Sequence, residues 1–175
     1  MRNQTKVRIF AETKKQYAMM SREETYQLKY TIALIAEFAK KFHLGKKQAY
    51  NYLKRFNGLD YLKSYYDVLH TLSFEEAIRD ISIICSRNGG KQYPNCKNYE
   101  MAEGQIEIMK EDMSEELIKM LMANWHYSMD DAMDVLYNSD TFSRLEDDNT
   151  GLYYQSPGYV YSYLNQELTT GDYRS

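Results

Sequence analysis

Lys47, Gln48, Asn51, Lys54 and Arg55 have the types and spacing of a helix face that reads nucleic acid. On a helix they fall opposite an apolar stripe of Ala49, Tyr52, Leu53 and Phe56. Gln and Asn can pair bidentately with adenine, and Lys and Arg can meet phosphate or guanine. The same face would equally dock a protein or stay solvated. The break before it, Leu44-Gly45, is tighter than the turn of roughly three or four residues usual in a helix-turn-helix.

A different chemistry is suggested by the aromatic residues of the second half. Tyr153, Tyr154, Tyr159, Tyr161 and Tyr163 crowd one segment, more than one face of a short helix can bury, and Trp125 precedes them. Tyrosine and tryptophan give large contact area at low conformational cost, which suits a partner-binding surface. Trp125, Tyr153, Tyr154, Tyr159 and Tyr161 are the candidate anchors. Seven of the ten methionines (Met101, Met109, Met113, Met120, Met122, Met129 and Met133) also lie in this half, where they would either fill a small core or adapt to a partner.

Catalytic chemistry finds little support. His126 with Asp130, Asp131 and Asp134 could be imagined around a metal, but carboxylates at a helix start cap it and complement its dipole. Residues 146–151 do not make a calcium loop, since Gly151 at the turn position would put Pro157 at the last ligand position. Cys85 and Cys96 match no common zinc spacing and are expected as free thiols. The sequence contains no phosphate-cradling glycine loop, nucleophile elbow or CxxC. The expectation is a protein without enzymatic activity, cofactor or metal.

Charge divides the chain. Residues 1–98 hold 18 Lys and Arg against 9 Asp and Glu, a balance of +9, whereas residues 99–175 hold 4 against 16, a balance of −12. Opposite fields suggest separate tasks, a basic part for nucleic acid or an acidic partner and an acidic part for a basic one. No signal-like segment follows Met1 and no apolar run is long enough to span a bilayer, so a cytoplasmic protein is expected.

These side chains require helices to position them. Ser21-Arg22-Glu23-Glu24 is a capping box opening a helix to about residue 43, with Leu28, Ile32, Ile35, Ala39 and Phe42 inward. A second helix runs from Lys46 to the Asn57-Gly58 stop. A third is expected over 59–70, burying Leu62, Tyr65, Tyr66 and Leu69, and Ser73-Phe74-Glu75-Glu76 opens a fourth with Ala77, Ile78, Ile81 and Ile84 or Cys85 inside. Past residues 88–98, which have the composition of a linker, helical periodicity returns in two runs separated at Ser114, then after Ser128, and again after Ser156-Pro157. The expected fold is all-α: a basic arm (1–20), a basic four-helix module (21–87), a linker (88–98) and an acidic helical module (99–175), with a short extended segment near 152–154.

Residues 50–81, with Leu59-Asp60-Tyr61-Leu62 and Tyr66-Asp67-Val68-Leu69-His70, resemble a small bacterial helical family of unassigned function. Residues 138–168, with Thr150-Gly151-Leu152-Tyr153, Gln155-Ser156-Pro157 and Tyr159-Val160-Tyr161, resemble a second uncharacterised family. The first resemblance implies a gene beside that of an ADP-ribosyltransferase-like protein, and hence an antitoxin that binds and neutralises a toxin through its acidic half. The alternative expectation is a DNA-binding transcriptional regulator using the basic half.

Overall fold

The computed structural model describes residues 20–91 and 104–171, and over these the protein is all-α, with nine helices, two 3₁₀ turns and no strand among the described residues. The arm over 1–19, the linker over 92–98, Cys96, Met101 and Ala102 lie outside the described residues. No described helix is long and apolar enough to cross a membrane. The chain divides into two compact units, one within residues 29–102 and one formed from 1–28 with 103–175.

Helix α1 (Arg22–Lys41) crosses that division. Its capping box forms as expected: Glu24 N–H donates to Ser21 Oγ (3.1 Å) and Ser21 N–H to Glu24 Oε2 (2.7 Å). Leu28, Ile32, Leu34, Ile35, Phe38 and Ala39 are buried along it. The helix stops where His43 turns left-handed (φ 53°), with His43 N–H on Lys40 O and Leu44 N–H on Ala39 O. This pair of bonds is a Schellman stop. The break therefore spans residues 42–45 rather than Leu44-Gly45, because a histidine takes the conformation usually given to glycine. Gly45 itself has φ −69° and serves as N-cap of α2 (Lys46–Arg55).

Left-handed Asn57 (φ 61°) separates α2 from α3 (Gly58–Ser64). The helix expected over 59–70 is two, α3 and α4 (Tyr66–Leu69), parted at Tyr65. The break lets Tyr66 set its ring edge against Tyr30 (5.7 Å), while Tyr30 stacks on Phe74 and donates its hydroxyl to Leu69 O (2.8 Å). Tyr65 is thereby excluded from the core and remains 53 % exposed against Tyr61, contrary to its expected burial. The last helix of this unit, α5 (Phe74–Arg87), opens with the Ser73 and Glu76 capping box and buries Ala77, Ile78, Ile81 and Cys85. The first residues of the expected linker are tied down: Gly90 N–H reaches Cys85 O (2.9 Å), and Tyr52 donates its hydroxyl to Lys91 O (2.7 Å).

The other unit is built around α6 (Gln105–Trp125), which packs against α7 (Met129–Asn138), α9 (Pro157–Thr170) and the second 3₁₀ turn. The expected separation at Ser114 is absent. That serine is buried and donates its hydroxyl back to Lys110 O (2.8 Å), so its polarity is met inside the helix. Sequence periodicity also missed α8 (Asp140–Glu146), although Ser139 Oγ accepts from Phe142 N–H as an N-cap. From α9, Glu167 accepts the Asp140 N–H (2.7 Å) and both the N–H and hydroxyl of Thr141, completing that cap. Residues 152–154 are a 3₁₀ turn, not an extended segment. Gly151 (φ 62°) reverses the chain, and its carbonyl accepts from Tyr154 N–H.

Packing within the smaller unit is tight at Gly58. A methyl group added there would lie 2.8 Å from Cys85 Sγ and 2.9 Å from Leu53 Cδ2. Gly58→Ala should lower stability by about 1–3 kcal/mol in urea unfolding, the usual cost of overpacking. A wild-type midpoint would show that α3 can shift away from α5.

Candidate binding surfaces

The acidic half has few cations, and its organisation depends on where they sit. Residues 104–171 contain only Lys110, Lys119 and Arg144. Lys110 is 3 % exposed, and its ammonium meets Asp148 Oδ1 (2.7 Å), Glu107 Oε1 (3.1 Å) and the Glu146 carbonyl (3.0 Å). It thus fastens α6 to the end of α8 and the first 3₁₀ turn (Asp148–Thr150). Burial alone would pull its pKa down, but the hydrogen bonds it donates to Asp148 and Glu107 outweigh that and leave it raised. Lys119 pairs with Glu115 and Glu116 on the same helix, and the Arg144 guanidinium lies over the Tyr163 ring (5.4 Å).

The five aromatic candidates do not form one surface. Tyr153 is buried and its ring lies 4.5 Å from that of Tyr154, which is 67 % exposed. On α9, Tyr159 is 48 % exposed and shares a 2.6 Å hydroxyl hydrogen bond with Tyr163. Tyr161 points from another face of α9, its buried hydroxyl beside the Asn124 and Trp125 side chains. Burial raises its pKa. Trp125 is half-buried, donates to Asn165 Oδ1 (3.2 Å) and stacks with Tyr127. Of the five candidates Tyr154 and Tyr159 are therefore the most exposed rings, and sequence reasoning did not identify Tyr163 and Arg144 as neighbours of Tyr159. Spacing four along α9 with Tyr159 was the available signal for Tyr163.

On α2, Gln48, Lys54 and Arg55 are exposed and Lys47 and Asn51 half-buried, opposite buried Ala49, Tyr50 and Leu53. Gln48 uses its Oε1 to accept the Gly45 N–H (3.0 Å), so one predicted base reader also holds the helix start. Arg55 lies 5.6 Å from the Phe56 ring centroid. Elsewhere, Asp131 belongs to the α7 cap with Ser128, and His126 is the left-handed C-cap of α6. No group of three metal-binding side chains occurs among the described residues. Cys85 is a free thiol whose pKa is pushed up to about 11 by burial, far from the range of a reactive nucleophile.

Replacing the cation that fastens the acidic unit should be costly. Lys110→Met should lower stability by about 2 kcal/mol, the order of a charged hydrogen bond. A raised lysine pKa contributes stability below its ordinary value of 10.5 and loses it as pH rises through the folded value. The difference between wild type and variant in urea midpoints should thus hold from about pH 7 to 9 and shrink in stronger alkali. Equal midpoints at neutral pH would show that the ammonium is not a fastening.

The model of a family described as proteins of unknown function, DUF3791, matches residues 29–88. This stretch lies within the unit of residues 29–102 and includes the 50–81 segment that resembles an uncharacterised helical family. No curated protein and no solved structure matches the chain significantly.

Proposed function

We propose that the chain is a non-catalytic binding protein whose acidic half holds a basic protein surface. We further propose that it acts as an antitoxin on an ADP-ribosyltransferase-like toxin, the partner implied by the resemblance of its first half. The observation that carries the binding reading is the state of the charges around Tyr154 and Tyr159. All three cations of residues 104–171 are engaged internally, while both rings are exposed on an acidic unit. Residues 138–168, which carry both rings, also resemble a second uncharacterised family. A cytoplasmic location belongs to the same reading, free buried thiols such as Cys85 being usual in a reducing compartment.

Carboxylates would steer encounter with a cationic surface, and the aromatic rings would supply the few contacts that dominate binding energy. The test is co-expression of the full chain with the protein encoded beside it, followed by kinetics on the purified complex. Tyr154→Ala and Tyr159→Ala should each accelerate dissociation, a true anchor costing about 2 kcal/mol or more. Asp112→Asn with Asp130→Asn should instead slow association at low salt. Failure to form a complex removes the antitoxin reading. A complex indifferent to both tyrosines removes this surface as its seat.

A further inference from the structure

We propose that α1, the turn over residues 42–45 and α2 form a helix-turn-helix whose second helix enters the major groove of duplex DNA. Four residues separate α1 from α2, the length such a motif requires, and left-handed His43 supplies the sharp reversal. The two helices touch through Phe38 of α1 and Tyr52 of α2, whose ring centroids lie 5.8 Å apart. The inner face of α2, Ala49, Tyr50 and Leu53, is buried, and α3 packs on the same helix. These contacts leave Gln48, Lys54 and Arg55 exposed, with Lys47 and Asn51 beside them.

Charge selects the occupant. Helix α2 contains Lys46, Lys47, Lys54 and Arg55 and no carboxylate. Helix α2 carries no acid in its first turn, and Lys46 and Lys47 stand there against the helix dipole, which favours an anion opposite them. A recognition helix places the residues of its N-terminal part on base edges and its flanking cations on phosphates. Asn51 is the side chain suited to adenine, and Lys47, Lys54 and Arg55 are the phosphate contacts. Gln48 keeps its amide donors for the groove while its oxygen holds the Gly45 N–H. An acidic protein would be drawn by the same charges, but it would require neither the turn length nor the amide side chain.

The test uses the full chain and a fluorescent random-sequence duplex. Three phosphate contacts predict a log–log salt slope of about −2.7, a loss of about 40-fold between ~50 and ~200 mM salt. Lys47→Ala, Lys54→Ala and Arg55→Ala should each reduce the slope by about one, and Asn51→Ala should erase preference for a sequence selected from the pool without changing it. Thermal melting of each variant checks that these surface changes leave the fold intact. Tyr154→Ala and Tyr159→Ala should leave duplex affinity unchanged, so this reading and the partner reading stand or fall separately. No retention of duplex at ~50 mM salt, or retention indifferent to all three cations, overturns the proposal. So does the finding that Lys54→Ala releases an acidic protein partner from a chain that holds no duplex.

Discussion

Residues 104–171 carry thirteen carboxylates and three cations, and the unit they form depends on how that repulsion is absorbed. Lys110 absorbs the most concentrated part. Its buried ammonium draws Glu107, Asp148 and the Glu146 carbonyl onto one point, joining α6 to the loop that carries Tyr153 and Tyr154. Five of the other acids are placed where backbone N–H groups do the work of cations. Asp130 and Asp131 sit in the first turn of α7, Asp140 in that of α8, and Glu167 accepts from the exposed N–H groups of α8. Asp147 is held below the usual carboxylate range by the backbone and side chain of Asn149. An acidic surface can therefore be kept without unfolding the unit, because local dipoles and one deeply placed lysine compensate it.

Helix starts were legible in the sequence because a cap is a local event. Ser21, Ser73, Ser128 and Ser156 each accept from an early helical N–H at the residue the pattern indicated. Stops were less legible where the chain uses left-handed residues other than glycine. Asn57 was readable from Asn-Gly, but His43 and His126 carry no comparable signal, since histidine, although enriched at positive φ among residues other than glycine, takes it in only a small share of cases. The consequence at His43 was an underestimated turn, which concealed the four-residue connection between α1 and α2. The α3 to α4 break was hidden for another reason. Leu62, Tyr65, Tyr66 and Leu69 fit one helical stripe, yet the Tyr30, Tyr66 and Phe74 rings impose a tertiary preference no local pattern encodes.

The aromatic cluster shows the limit of reading a site from crowding. Alternation along residues 153–163 predicts too many rings for one face, and the structure resolves this by separating them. Tyr153 enters the core, Tyr154 stays outside, Tyr159 joins Tyr163, and Tyr161 turns toward Trp125. What the sequence showed was that some tyrosines must remain uncovered. Which ones depended on the 3₁₀ turn after Gly151, whose reversal sets the direction of both rings that follow it.

The two surfaces also differ in how they use charge, and this separates their physics. In the proposed DNA contact of α2 the cations would be the main source of affinity, so binding would track the number of counterions released and fall steeply with salt. In the proposed partner surface around Tyr154 and Tyr159 the carboxylates would accelerate encounter, while lifetime would depend on buried ring area, which salt scarcely affects. A chain balanced at +9 in one half and −12 in the other has a net charge of only −3. That near-neutral sum hides two strong local fields, and each field acts over about a Debye length of its own surface, roughly 8 Å at physiological ionic strength. It is therefore the local charge, read against the helix that displays it, that governs what each face can hold.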